Sequence, residues 1–219
     1  MTRPKQTTER KSLGYFGEHV ASAHPRKPTE TTVIPLEWMI SYERRRLAIL
    51  GLVSEVVIRR VEPSDSATLR RVRLRALATD AASFGSTYER EAAFPDQTWT
   101  DRAARSSAGD EAATLLAISR DEPKGIVTAI CDGAQRQLFH VFEMWVAPEA
   151  RREGIGRRLL NGIEAWIASC GGTSAHLSVT DAATAAMGLY ESAGYKPDGN
   201  SAESGHTPGL TEISLLKQL

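Results

Sequence analysis

The sequence predicts an α/β (α+β) fold with a mixed, mostly antiparallel central sheet and helices on both faces. Three observations carry that expectation. The apolar runs ATLLAIS, IVTAICD and LFHVFEMWV, separated by turn residues, read as an antiparallel meander. Beyond them helix and strand patterns alternate, which makes the sheet mixed. Between the two halves lies VAPEARREGIGRRLL, Val146 to Leu160, where two glycines and four arginines open an apolar pattern with helical spacing.

In chain order, VVIRRV from Val56 reads as the first strand. PSDSATLRRVRLRALATD reads as a helix that puts Leu69, Val72 and Leu77 on one side, with Ser64 or Asp65 placed to cap it. SFGSTYEREAAFPDQTWTDRAARS mixes turn residues with short helical stretches. The meander follows, with turns expected at RDEPKG and DGAQRQ. A helix from Ile155 to about Ser169 aligns Ile155, Leu159, Ile163 and Ile167. Then come a strand AHLSV, a helix ATAAMGLYESAG ended by Gly194, and a last strand EISLLKQL.

Composition bounds the class. The chain has 219 residues, formal net charge zero and 41% hydrophobic residues, which fits one domain with an appendage. Residues 1–54 form that N-terminal extension and 55–219 the domain. The extension is basic, and 1–32 are too poor in large apolar groups to offset their ordering entropy, so disorder is expected there. Leu36, Met39, Ile40, Leu47 and Leu50 recur at helical intervals and predict an amphipathic helix near 36–50. Three readings stand for it: the stripe packs on the body of the chain, it packs on a second copy in a homodimer, or the segment is an upstream extension of a gene whose working start is Met39. Cys131 and Cys170 lack metal-ligand spacing, so no metal and no disulfide framework are expected. No apolar run reaches the roughly 18 residues of a membrane span, and no leader pattern opens the chain. No membrane partner and a cytoplasmic location follow as expectations. Neutral overall charge gives no footprint for nucleic acid.

Unpaired amides at a helix N-terminus, with the positive end of its dipole, favour a phosphate, and glycine lets it approach the main chain. GIGRRL lacks the third glycine of a dinucleotide fingerprint, and no P-loop pattern is present. The plain alternative is that Gly154 and Gly156 only make a tight turn.

Arg151, Gly154 and Gly156 form RxxGxG, preceded by WVAP on a strand and followed further on by GLYESAGYKP. Together, in this order, these motifs resemble those of the GNAT superfamily of N-acetyltransferases, over Val56 to Leu219. The resemblance implies a GNAT-like acyl-CoA acyltransferase fold, with acetyl-CoA as co-substrate. It assigns the pyrophosphate to the loop Arg151, Arg152, Glu153, Gly154, Ile155, Gly156 and Arg157, and the pantetheine arm to the strand end at Met144, Trp145 and Val146. The side chains of Met144 and Trp145 have core packing as their alternative. The Val146 amide would stabilise the oxyanion. Tyr190 matches the tyrosine near the departing CoA sulfur. Full transfer of its proton to a thiolate is uphill by roughly 2 kcal/mol on reference pKa values, so a hydrogen bond suffices.

The acceptor would be an amine, of a small molecule such as an antibiotic or polyamine, or of a protein. An alkylamine is only about one part in a thousand neutral near pH 7.4, so a deprotonation route is needed. His140 and Glu143 compete for it; strand alternation puts them on opposite faces unless a bulge intervenes. A water chain or a backbone carbonyl is the third choice. Glu89, Glu91 and Asp96 are candidates for attracting the amine, or a solvated face. The chain departs from the family pattern at Ala183, where Asn is common, with Asp181 left to cap the helix, and at Arg152 and Glu153. A non-catalytic acyl-CoA-binding regulatory module is the alternative function.

Overall fold

The computed structural model describes residues 55–205 and 207–219. The expectations for residues 1–54, disorder, a helix near 36–50 and a homodimer built on it, lie outside the described residues. Among the described residues seven strands, β1 (Val57–Arg60), β2 (Ala112–Ser119), β3 (Glu122–Cys131), β4 (Leu138–Val146), β5 (Ser174–Thr180), β6 (Lys196–Glu203) and β7 (Thr211–Gln218), form one sheet in the order β1-β2-β3-β4-β5-β7-β6. Every neighbouring pair is antiparallel except β4–β5. Among the described residues, five α-helices connect them: α1 (Ser66–Thr79), α2 (Tyr88–Ala92), α3 (Asp96–Ser107), α4 (Ile155–Ser169) and α5 (Thr184–Ser192).

The helices cover both faces, as expected. A Cβ on Gly125 of β3 would meet Leu159 of α4, so that face belongs to α4. Thr128, an odd number of residues on, points the other way. Its hydroxyl reaches Glu143, which Arg73 of α1 also touches. Ile155, Leu159, Ile163 and Ile167 are all buried, and that stripe fixes the orientation of α4 and hence of its first turn. Trp99 and Ala103 of α3 and Leu69, Val72 and Ala76 of α1 complete the core on the second face.

Four local expectations need correction. Neither Ser64 nor Asp65 caps α1 with its side chain. Pro63–Asp65 makes a 3₁₀ turn, and Asp65 takes two hydrogen bonds from Arg59 and one from the amide of Glu62. A guanidinium on the adjoining strand stabilises that carboxylate more than an uncharged amide would. The turn expected at RDEPKG is only Arg120–Asp121, both at positive φ, and β3 already includes Glu122 and Pro123. The register irregularity beside Pro123 accommodates its missing N–H. Asp181 does not cap α5: Ala183 holds the N-cap position without a side-chain bond, and the Asp181 amide bonds Thr211 of β7. Strand β6 has no counterpart in the sequence reading, because KPDGNSAE is exposed throughout and shows no apolar alternation. Pairing to β7 holds it as an edge, with a bulge at Asp198–Asn200 where Gly199 takes φ +92°.

Candidate active site

Parallel pairing of β4 with β5 stops early. Leu138, Phe139 and His140 are in register with Ser174, Ala175 and His176, and nothing further along is paired. From Val141 to Val146, β4 keeps β3 on one side and opens on the other. The opening is a cleft of about 1030 Å³ that runs from the start of α4 to the segment 82–86.

The first turn of α4 lies at one end. Gly154 adopts φ +78° with nothing within 4 Å of where its Cβ would be, so the glycine answers to backbone conformation and not to crowding. Gly156 answers to crowding: a Cβ there would lie 3.2 Å from Leu189 of α5 and 3.5 Å from Met144. No side chain caps the helix, and its first carbonyl-bonded amide after Gly154 is that of Arg158. Amides of the first turn therefore remain for a ligand at the mouth of the cleft.

The arginines of the loop divide. Arg151 is held within the protein: Nε donates to the Val146 carbonyl at 3.0 Å, and Nη2 meets Asp80 at 2.6 Å. Trp145 also donates to Asp80, at 2.8 Å, and its buried ring lies under Arg75. Burial works against the charge of Asp80, yet the hydrogen bonds from Trp145, Thr79 and Arg151 hold its carboxyl below the usual range. The side chains of Arg151 and Trp145 thus lock the end of β4 to the C-terminal end of α1, and the core reading of Trp145 is the right one for its ring. Arg152 at φ +65° is exposed and lines the cleft, as does Arg157, which reaches Ser192. Glu153 is exposed and Ile155 is buried in the core. Met144 lines the cleft beside Gly156.

A bulge decides the geometry of the two base candidates. Ile126 and Thr128 of β3 face Trp145 and Phe142 of β4, so one extra β4 residue is inserted, and Glu143 takes φ +57°. Alternation alone would separate His140 from Glu143; with the bulge both line the cleft. The Glu143 carboxylate accepts from Thr128 at 2.9 Å and lies 3.4 Å from Arg73 Nε. Arg73 in turn binds Glu91, which Arg102 also meets at 3.0 Å. Burial opposes the charge on Glu91, but the hydrogen bonds and charge of Arg73 keep its carboxyl below the usual range. Glu91, 2% exposed and doubly paired, is therefore not the amine attractor the sequence suggested. Asp96 pairs with Arg70, and Glu89 lies on the exposed side of α2.

His140 is the better-connected candidate. Its ring is 30% exposed and bonds Asp132 through Nε2 and His176 through Nδ1. Sequence reasoning missed Asp132, His176 and Asp80. His176 stands in the predicted strand AHLSV, and only the register between β4 and β5, which no local pattern encodes, makes it the neighbour of His140. Tyr190 lines the cleft near the start of α4 and is 6% exposed, and burial pushes its phenol well above the ordinary value. Among the described residues, no group of three or more His, Cys, Asp or Glu could hold a metal, and no helix is long and apolar enough to cross a membrane.

Comparison with known proteins agrees with this architecture. The chain is similar to an acetyltransferase of the GNAT family from Streptococcus pneumoniae, with 22% identity and a TM-score of 0.67, over 75% of this chain and 99% of that one. It is also similar to the paia N-acetyltransferase from Thermoplasma acidophilum in complex with coenzyme A (18%, TM-score 0.60, 75% and 99% covered). A third is the ribosomal-protein-S18-alanine N-acetyltransferase from Escherichia coli (16%, TM-score 0.56, 75% and 94% covered). At these identities the likeness establishes the fold. No curated protein matches the chain. A family model described as "Acetyltransferase (GNAT) domain" matches residues 83–210, more than half of the chain and both motifs that suggested the family, so the protein belongs to the GNAT superfamily of N-acetyltransferases.

Proposed function

We propose that this N-acetyltransferase takes its acetyl group from acetyl-CoA and passes it by direct attack to a primary amine, of a small molecule or of a protein. The observation that carries the reading is the fork between β4 and β5 after His140 and His176, which opens beside the uncapped start of α4. One cleft then offers amide donors for a pyrophosphate at one end and an unpaired strand edge for an amide-bearing arm along its length.

In this reading the amides of Gly154 to Arg157 bind the pyrophosphate, and Arg152 adds charge at the mouth. Arg151 acts indirectly, by fixing the Val146 carbonyl and so the direction of the strand end. The Val146 amide stabilises the oxyanion. Holding both reactants in one cleft lowers the entropic part of the barrier. The amine loses its proton to His140; Glu143, its charge offset by Arg73, orients the ammonium form and is the weaker base candidate. Tyr190 donates a hydrogen bond to the departing sulfur. Because burial raises its pKa, it stays a neutral donor and does not surrender its proton.

Calorimetric titration with acetyl-CoA, followed by thiol release across a panel of amines, tests the reading. Binding with release for one amine class supports it and names the acceptor type. Binding without release on any amine would favour a regulatory acyl-CoA module, and no binding would mean that Gly154 and Gly156 only make a turn.

A further inference from the structure

Four hydrogen bonds in series cross the sheet on the cleft face. Asp132, in the β3–β4 turn, meets His140 Nε2 at 3.0 Å; His140 Nδ1 meets His176 Nδ1 at 3.0 Å. His176 Nε2 meets Ser214 Oγ of β7 at 2.7 Å, and that hydroxyl donates to Asp198 of β6 at 2.6 Å. His140 and His176 are the last register pair before β4 and β5 diverge, so the two rings stand at the fork of the cleft.

Counting protons along the chain gives the charge at which all four links are made. An ionised carboxylate only accepts. Asp132 is held ionised by the hydrogen bond with His140 and by the amides of Ala134 and Gln135, and Asp198 by Ser214 and the amide of Asn200. His140 Nε2 must therefore carry a hydrogen. Ser214 has one hydrogen and gives it to Asp198, so His176 Nε2 must carry another. The contact between the two Nδ1 atoms needs a third. Three hydrogens on two imidazoles make one positive charge, shared between the rings. With two hydrogens a link of the chain is broken; with four, two cations would face each other at 3.0 Å.

We infer that His140 and His176 act as a single base with one exchangeable proton, His176 being the positioning and proton-sharing partner of His140. The inference rests on the proposed acetyl transfer to an amine. Starting from the pair with two hydrogens, an N–H bond of the acceptor ammonium breaks, the third imidazole N–H bond forms, and the charge passes from the acceptor to the pair. After turnover the proton leaves to solvent, which the half-buried Asp132 and the exposed Asp198 adjoin. Besides Asp80, Arg151, Arg152 and Arg157 around the start of α4, the charged groups that line the cleft are Arg73 of α1, Arg102 and Arg105 of α3, Glu143 of β4 and Glu212 of β7. Arg73, Arg102 and Glu143 are tied into the cluster around Glu91, and Glu212 accepts from Ser204; the carboxylates joined to the pair are Asp132, directly, and Asp198, through Ser214. Burial, and then the charge of His140, hold His176 below the ordinary imidazole value, in keeping with a pair that does not take two charges.

The experiment combines ¹⁵N imidazole NMR titration with the pH dependence of kcat/KM in the wild type, Asp198→Asn and His176→Gln. Asp198 lies outside the cleft lining and is exposed, so its substitution leaves the fold intact and reaches the reaction only through the relay. In the wild type both rings report one common midpoint for the first proton. In Asp198→Asn that midpoint falls by about 0.5 pH unit, because a negative charge favouring the proton is gone, and the acidic limb of kcat/KM falls with it while the KM for acetyl-CoA stays put. In His176→Gln the common midpoint disappears and His140 titrates alone. Two rings with separate midpoints, each indifferent to replacement of the other, would overturn the shared proton. An acidic limb that ignores a displaced midpoint would overturn its role as base. If no amine is acetylated, the proposed transfer falls with the catalytic role, and the NMR titration still decides whether the rings share a proton.

Discussion

Replacing Gly154 by asparagine, alanine or glutamate separates backbone strain from charge at the start of α4. The residue sits at φ +78° with open space where a Cβ would project, so no side chain is excluded by contact. Asparagine tolerates this region and should behave nearly as glycine does. Alanine carries the left-handed penalty of about 1–2 kcal/mol. That strain is present with or without ligand, so it appears in stability, as a fall in Tm of about 2–8 °C, and hardly in affinity. Glutamate adds a negative charge next to the proposed pyrophosphate. At about 6 Å a single pair of charges interacts by about 0.7 kcal/mol in a water-like dielectric and about 1.4 kcal/mol at half that value. Two phosphate charges double these figures, which predicts acetyl-CoA binding weakened roughly tenfold to a hundredfold relative to the alanine variant. Calorimetry at two salt concentrations measures it, and the difference should shrink as salt rises. Equal affinities for Gly154→Ala and Gly154→Glu would refute the placement of phosphate at this helix end.

Tyr190→Phe should keep acetyl-CoA affinity and lower kcat by roughly tenfold to a hundredfold, the value of one hydrogen bond to a charged group; stopped-flow thiol release reads it, and a matching loss of binding would mean that Tyr190 only packs. Glu91→Gln leaves Arg73, whose side chain is 7% exposed, short of its main partner. A loss of about 3–5 kcal/mol in urea unfolding at pH 7 is expected. Because the folded-state pKa of Glu91 is depressed, its contribution is present above the unfolded value of about 4.3 and is lost as pH falls through the lower folded value. Wild-type stability should therefore drop on acidification below about pH 5, and the Glu91→Gln variant should show a shallower drop.

What was legible in the sequence follows from where the information is stored. Helix α4 was readable to the residue, because four apolar positions on one stripe and two glycines at its start are local signals. The glycine turn before it was readable for the same reason, although the contacts of Arg151 were not: its partner Asp80 is 71 positions away, at the end of α1. Strand β6 escaped notice because an exposed edge needs no apolar alternation, only a neighbour to pair with. The acceptor side was misjudged where a carboxylate was read by exposure expected from its charge; Glu91 is buried because Arg73 and Arg102 converge on it from two helices.

The bulge at Glu143 is the hardest case and the most consequential. A strand read by alternation assigns His140 and Glu143 to opposite faces, and one of them must then be irrelevant to the cleft. One extra residue against β3 reverses that conclusion, and nothing in FHVFEMWV announces it, since glutamate at positive φ has no compositional mark. Once both face the cleft, their partners separate their roles. Glu143 is bound to a buried arginine that it shares with Glu91, so a proton added to it would leave that arginine less well compensated. His140 is joined to Asp132 and to a second imidazole that leads through Ser214 to Asp198, so a proton added to it completes a hydrogen-bonded chain. The same addition is opposed at one residue and favoured at the other, and that asymmetry, set by tertiary partners, is the ground for proposing the histidine as the base.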